Sequence, residues 1–363
     1  MIYNVLKKRP DLDAPPALDL ALTFPFDGGS KSGHEMTLGS SLTTPPPILT
    51  VGEAKALAKT HFGLSGTLTP LTSERDLNYR LATSEGRFVL KLANSAEPAQ
   101  LTALQTRALL HLEPQDLPTP RVIRTLAGET EASTPHGTLR LLTWLEGHPQ
   151  HLTPRTPAQC AAMATIAARL SLGLQGFHHP AATHVLQWDI KQASSLRPLL
   201  PHIAADLQGL ATETLDRFDR DIAPQLDQCR TQIVHNDLNP HNVLVDPADP
   251  DRITGILDFG DMVDTHLICD AAVTAAYQID PAAPTQSLTT FARAYHTILP
   301  LTPQELRLLP DLAATRMLTT LAIASARAAR YPDNAAYILR NVPAAAAGLT
   351  ALAQAPRQML EIA

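Results

Sequence analysis

The sequence predicts an α+β protein of two lobes, a small sheet-rich one followed by a larger helical one, on three observations. Short apolar runs separated by turn residues fill the stretch after Val51. From Gly147 onward the apolar spacing becomes mainly helical. Beyond His266 nearly every segment reads as helix, punctuated by Pro281, Pro300, Pro310, Pro332 and Pro343. The 363 residues, 44% of them hydrophobic, are enough for one large two-lobed unit. The expected divisions are an irregular extension over 1–50, a small lobe over 51–145 and a helical lobe over 146–363, joined near 144–149.

The elements follow in order. Pro15-Pro16, Gly28-Gly29 and Pro45-Pro46-Pro47 leave the extension little periodicity, although Leu20, Leu22 and Phe24 alternate as a short strand does. VGEAKALAKTHFG reads as a helix closed by Gly63. Strands are expected over 67–71, 78–83 and 87–92, the last two joined by the short turn SEG as an antiparallel hairpin. AEPAQLTALQTRALLHL places Leu101, Leu104, Ala108 and Leu112 on one helical face, and Pro118 and Pro120 separate it from strands at 121–126 and 138–144. In the second lobe, PAQCAAMATIAARLSLG suits a buried helix whose alanines permit close packing. AADLQGLATETLDRFDR suits another, and the strand QIVH then opens a segment dense in polar residues.

Composition narrows the function. Lys+Arg is 29 against Asp+Glu 35, a formal charge of -6, with no basic tract and 4% aromatic residues. Such a chain lacks the phosphate-neutralising surface and the stacking residues of a nucleic-acid binder; its acidity weakly suits a cationic substrate. Cys160, Cys229 and Cys269 form no CxxC and no zinc-type spacing, which fits a reducing compartment. No apolar run follows Lys7, Lys8 and Arg9, and the Ala-rich stretches are too short or interrupted by Arg to supply the roughly 20 apolar residues of a membrane span. A soluble, cytoplasmic protein without membrane partners is expected.

The chemistry is concentrated between Ile233 and Asp261, in IVHNDLNPHNVLVDPADPDRITGILDFGD. The apolar runs VLV and ITGIL flank the turn-rich DPADPDR, so they form a hairpin whose ends lie together. Asp237 and Asn242 precede its first strand and Asp258 follows its second, so the three converge. Carboxylate and amide oxygens from separate segments make a hard, oxygen-rich site suited to Mg²⁺. Phosphoryl transfer needs that combination: metal to neutralise phosphate oxygens, and a carboxylate to orient the incoming hydroxyl. Asp237 is expected to be ionised at neutral pH, near the ordinary carboxylate value of about 3.9.

These residues resemble the aminoglycoside phosphotransferase and choline kinase superfamily, which shares its fold with protein kinases. H-x-D-x-x-x-x-N is present as His235, Asp237 and Asn242, and D-F-G as Asp258, Phe259 and Gly260. The resemblance implies a bilobal protein-kinase-like fold, Asp237 as catalytic base, Asn242 and Asp258 as Mg²⁺ ligands, and ATP or GTP in the cleft. It also implies His235 as support for the catalytic loop and Asp270 as the buried acid that braces it. SERDLNYRL, FVLKLAN, RLLTWLEG, FHHPAA, WDI and the run from His235 to Gln278 look like the hydroxylysine kinase branch in particular, with coverage from about Val51 to Gln278.

Further site residues follow from that likeness. Lys91, in FVLKL, is expected to reach the nucleotide phosphates, against the alternative of a surface Lys on a strand edge. Its usual acidic partner on the next helix is replaced by Ala103, leaving Glu97 or Glu113 as substitutes. Ser73 and Asn78 in TSERDLN, which stands where kinases carry a Gly-rich loop, are placed to donate hydrogen bonds to the nucleotide phosphates, with Arg75 and Asp76 shaping the loop or lining the substrate side. Backbone groups of Thr143, Trp144 and Leu145 are placed to read the purine edge. Asp261 approaches substrate or metal, Asp264 and His266 shape a local turn, and His178 and His179 lead a turn into Pro180. Trp188 and Asp189 are weighed between an ammonium contact and helix packing and capping.

The function expected is Mg²⁺-dependent transfer from ATP or GTP to the hydroxyl of a small hydroxylated amino acid, as in hydroxylysine kinases. The alternatives are an aminoglycoside, homoserine or amino-alcohol kinase, and a kinase-like regulatory protein, the last suggested by Ala103.

Overall fold

The computed structural model describes residues 47–73 and 76–355. Nearly all of the expected extension, including Leu20, Leu22 and Phe24, lies outside the described residues, as does Arg75.

The first lobe opens with α1 (Val51–Phe62), started by a reciprocal capping box between Thr50 and Glu53 and stopped by Gly63 at φ 71°. Ala54, Ala58 and Phe62 of α1 pack on the antiparallel sheet through Tyr79, Leu81, Leu90, Leu139 and Leu141. The strands are β1 (Thr67–Leu71), β2 (Leu77–Ala82), β3 (Arg87–Leu92), β4 (Val122–Ile123), β5 (Ala132–Thr134) and β6 (Gly137–Thr143), in the order β1-β2-β3-β6-β4 with β5 also on β6. The register sets Lys91 beside Asn78 on one side and Arg140 on the other. The strand expected over 121–126 shrinks to β4, because Thr125 and Leu126 turn their N–H groups to Glu129 and His61 instead. Helix α2 (Ala99–Leu112) puts Leu104, Ala108, Leu109 and Leu112 into the core of the second lobe, tying the lobes together.

Strand β7 (His148–Pro149) leads into α3 (Pro157–Gly173), capped by Thr156 with Pro157 at its first turn. A 3₁₀ segment (Ile190–His202) follows, then α4 (Gln208–Arg217), a π turn (Phe218–Ile222) and α5 (Ala223–Leu226). β8 (Thr231–Val234) enters the catalytic segment, and β9 (Val243–Val245) and β10 (Ile253–Ile256) form the expected hairpin, extended by β7 on β9. The segment expected as a turn around Asp264 and His266 is a strand, β11 (Val263–His266), paired with β8. Its alternation buries Thr265 and exposes Asp264, the pattern of a short strand.

The remaining helices are α6 (Leu267–Gln278), α7 (Pro284–Ile298), α8 (Pro303–Arg330), α9 (Ala335–Ile338) and α10 (Val342–Gln354). Buried α6 lies against α8, and α3 against α7. The fold is bilobal and kinase-like, as the sequence predicts. Among the described residues no helix is long and apolar enough to cross a membrane.

Candidate active site

The loop between β8 and β9 is held from below by buried polar groups. Asn236 takes a left-handed φ of 63°, and Asp270, on α6, accepts its N–H at 2.7 Å. Asp270 is 2% exposed and also receives the Ser171 hydroxyl at 3.4 Å; burial pushes its carboxyl up, while His235 and the Asn236 N–H oppose that. His235 donates from Nε2 to the Leu257 carbonyl at 3.0 Å and accepts the Asp237 N–H at Nδ1, 3.2 Å. Burial lowers its pKa, which keeps the ring neutral in the tautomer those bonds require. Leu257 returns its own N–H to the Asn242 carbonyl at 2.8 Å. Both halves of the segment are therefore stitched together one residue before Asp258.

Asp237 stands on this base with each oxygen occupied. Oδ2 accepts Nδ2 of Asn242 at 2.8 Å and of Asn239 at 2.9 Å; Oδ1 accepts Nη2 of Arg316 at 3.0 Å. Burial and the nearby carboxylate of Asp261 push its pKa up to about 7, with Asp258 adding to the rise and Arg316 and Asn239 opposing it. That lies above the ordinary carboxylate value expected from sequence, because the loop partly buries Asp237 and gathers three acids.

Arg316 was not anticipated from sequence. It projects from α8, is 2% exposed, and donates Nη1 to the Trp188 carbonyl at 2.9 Å while lying 5.3 Å from the Trp188 ring and 5.8 Å from that of Tyr277. The available signal was a lone cation in the apolar helical run LAATRMLTTLA, on the face shared with Leu312. A charge on a buried stripe demands a partner.

Asn242 donates Nδ2 to both the carbonyl and the carboxylate of Asp237, which turns its Oδ1 away from them. Asp258 is exposed, has a left-handed φ of 56° and accepts the Gly260 N–H at 3.2 Å. Among the described residues no three His, Cys, Asp or Glu side chains form a metal cage. The Asn242 amide oxygen and the exposed Asp258 carboxylate are hard oxygen donors of the kind Mg²⁺ takes.

In the first lobe, Lys91 is largely buried and lies 3.7 Å from Asp76. Asp76 also accepts the Asn94 N–H at 3.3 Å and offers its own N–H to Ser73 Oγ at 3.3 Å. Asp76, expected to shape the loop or line the substrate side, also supplies an acid to Lys91, where Ala103 supplies none. Glu97 accepts Nε2 of Gln105 at 2.9 Å, and Gln105 Oε1 receives buried Arg140 at 2.9 Å. At the hinge the Thr143 N–H goes to Arg121 and the Trp144 N–H to Arg87. Sheet pairing consumes those two donors, so among the described residues Leu145 retains the peptide N–H of this trio without a backbone partner.

Asp189 is 1% exposed; it accepts the Lys191 N–H at 3.0 Å and the Thr265 hydroxyl at 2.9 Å, the capping geometry of the two roles weighed for it. His179 likewise caps the turn at Pro180 by accepting the Ala181 N–H. His241 stacks on His151 with centroids 4.0 Å apart and meets Asn341 at 3.1 Å; burial, then His151 and Arg340, bring its pKa down to about 4.

Comparison with known proteins gives the family and the fold. The profile of the phosphotransferase enzyme family, APH, matches residues 67–309. Hydroxylysine kinase of Mus musculus is 28% identical over 324 residues, covering 81% of this chain and 86% of that protein. The Danio rerio hydroxylysine kinase is 29% identical over 314 residues, covering 81% and 88%. Among solved structures, amicoumacin kinase hAmiN superposes with a TM-score of 0.61 at 12% identity over 86% of this chain and 96% of that one. A microcompartment-associated aminopropanol kinase gives 0.59 at 17% identity over 84% and 97%. At those identities the structural likeness is one of fold.

Proposed function

The chain belongs to the phosphotransferase enzyme family and is a small-molecule kinase of that type, and on that premise we propose that its acceptor is a small hydroxylated amino acid of the hydroxylysine kind. The observation that carries the reading is the similarity to hydroxylysine kinases along 81% of the chain, spanning both lobes and the Asp237 loop. Asp237 takes the acceptor hydroxyl at Oδ1 or Oδ2 and accepts its proton as the new P–O bond forms and the bond from the terminal phosphorus to the bridging oxygen breaks, the nucleoside diphosphate leaving; its pKa near 7 suits a base that must also release that proton. Arg316 and the two Asn amides fix the carboxylate's direction, so little reorganisation remains when the hydroxyl arrives.

Asn242 through Oδ1 and Asp258 would hold Mg²⁺, which when bound neutralises charge on the transferring phosphoryl oxygens. Lys91 is the cation for the nucleotide phosphates, oriented by Asp76, and the Leu145 N–H is the hinge donor for the base. Asp261 faces the same carboxylates, and Ser73 caps the turn beside Asp76. The finer alternatives are homoserine, amino-alcohol and aminoglycoside acceptors. The test is steady-state turnover of each class with Mg-ATP and with Mg-GTP. Hydroxylysine should give the highest kcat/KM; turnover confined to a different class would end this reading.

A further inference from the structure

The first lobe's sheet presents its side chains in rows. Residues directly opposite on antiparallel neighbours share a face, and successive residues of one strand alternate between faces. Tyr79, Leu81, Leu90, Leu139 and Leu141 turn to α1. The other face therefore carries Asn78, Lys91 and Arg140 in one row and Arg80, Val89 and Leu142 in the next. Val89 and Leu142 pack with the core of the second lobe, so this face looks across the cleft at that lobe. Trp144, two residues beyond Leu142 and bonded through its N–H to the Arg87 carbonyl, continues the face at the hinge. Each row lies about 6.6 Å from the last, the rise of two strand residues. Arg80 thus stands one step from Lys91 towards the hinge, between the cation for the phosphates and the Leu145 N–H.

Its surroundings set Arg80 apart from the other cations of that face. Lys91 meets Asp76 at 3.7 Å, Arg140 donates to Gln105 at 2.9 Å, and Arg87 pairs with Glu146 at 2.6 Å. Arg80 Nε is buried with no hydrogen-bond partner among the described residues, and the guanidinium carbon lies 5.7 Å from the centre of the Trp144 ring. An aromatic face, rather than an acid, is what this charge rests on. A guanidinium is planar and delocalised, so with one side on an indole it can take a second ring on the other.

We propose that Arg80 is the platform for the nucleotide's base, which lies on the guanidinium to complete a stack of Trp144, Arg80 and purine while Lys91 takes the phosphates. The assignment rests on the nucleotide-donor reading above and deepens it. Stacking reads the face of a ring and not its edge, so it supplies affinity to adenine and guanine alike and leaves any choice between them to the hinge.

The test is calorimetry of Mg-ATP, Mg-GTP and the base-free probe Mg-tripolyphosphate with wild type and Arg80→Lys, a change that keeps the charge and loses the plane. In Arg80→Lys the Kd of each nucleotide that wild type binds should rise about 10-fold, the order of one base stack, and by the same factor for adenine and guanine. Tripolyphosphate affinity should be unchanged. Melting temperature reports whether the variant is folded, and a crystal structure of wild type with a Mg-bound non-hydrolysable nucleotide needs no variant at all: the Arg80 guanidinium should lie parallel to the base. A guanidinium turned instead to a phosphate or ribose oxygen overturns the platform. Nucleotide binding that Arg80→Lys leaves intact, or an equal loss for tripolyphosphate, also overturns it and leaves the donor reading standing. Absence of Mg-nucleotide binding by wild type overturns both.

Discussion

Replacing Asp258 by Asn separates the shape of the metal arm from its charge. Asp258 is exposed, sits at φ 56° and accepts the Gly260 N–H at 3.2 Å. Asn tolerates that left-handed conformation and keeps the same acceptor, so the backbone has no reason to move. Only the negative charge goes, with two consequences of opposite sign. In the free protein one of the charges raising the Asp237 pKa disappears. For an exposed charge that relief is worth at most about 1 kcal/mol, so the thermal midpoint should stay or rise by about 2–4 °C. In the nucleotide complex the carboxylate proposed to bind Mg²⁺ is lost, and affinity for Mg-nucleotide should fall at least ~100-fold, about 2.8 kcal/mol. Thermal unfolding in chelator measures the first effect; nucleotide titration in excess Mg²⁺ measures the second. Loss of stability in chelator with unchanged Mg-nucleotide affinity would show that Asp258 is structural and refute its role at the metal.

Three further outcomes follow. Asp237→Asn should bind nucleotide normally in a titration and lose about 10²- to 10⁴-fold in kcat; near-normal turnover removes Asp237 as base. Gly147→Ala should destabilise the fold by about 1–3 kcal/mol in urea, since φ is 148° and the added Cβ meets Thr254 Oγ1 and comes within 2.9 Å of Leu244 Cβ and the Val245 carbonyl. For Glu305, burial raises the pKa, but Arg230 and the Thr302 N–H outweigh it and the net value is depressed. A depressed carboxyl stabilises the fold above its ordinary value of 4.5 and loses that contribution as pH falls through the folded value. The stability gap between wild type and Arg230→Met, measured by urea unfolding, should therefore be full at neutral pH and close on acidification; a gap independent of pH would refute the ion pair's contribution.

The hairpin and the convergence of Asp237, Asn242 and Asp258 were legible because they depend on short spacings: two apolar runs, a turn, and polar residues at both open ends. Lys91 was legible for the same reason, as a cation at a fixed place on a strand. Arg316 was harder, because its meeting with Asp237 spans 79 residues and is decided by how α8 packs. The contact of Asp76 with Lys91 was not read from sequence because it arises from the bend before β2, which the hairpin register alone does not specify. β5 and β11 escaped because strands of three or four residues show little alternation, and pairing to β6 and β8 defines them. At the hinge, the side chains do not show which N–H groups the neighbouring strands consume.

The reciprocal bonds at Leu257 have a mechanical consequence. Because its carbonyl is tied to His235 and its N–H to Asn242, the Asp237 loop and the Asp258 end of the hairpin belong to one rigid plate. β7 clamps the chain onto that plate from His148, leaving only Trp144 to Gly147 between it and β6. Helix α2, seated in the second lobe's core through Leu104, Ala108, Leu109 and Leu112, and the Ile256 N–H on the Pro118 carbonyl hold the sheet to the plate by contacts separate from those that space the acids. The position of the sheet and the alignment of the acids are thus set by different parts of the chain.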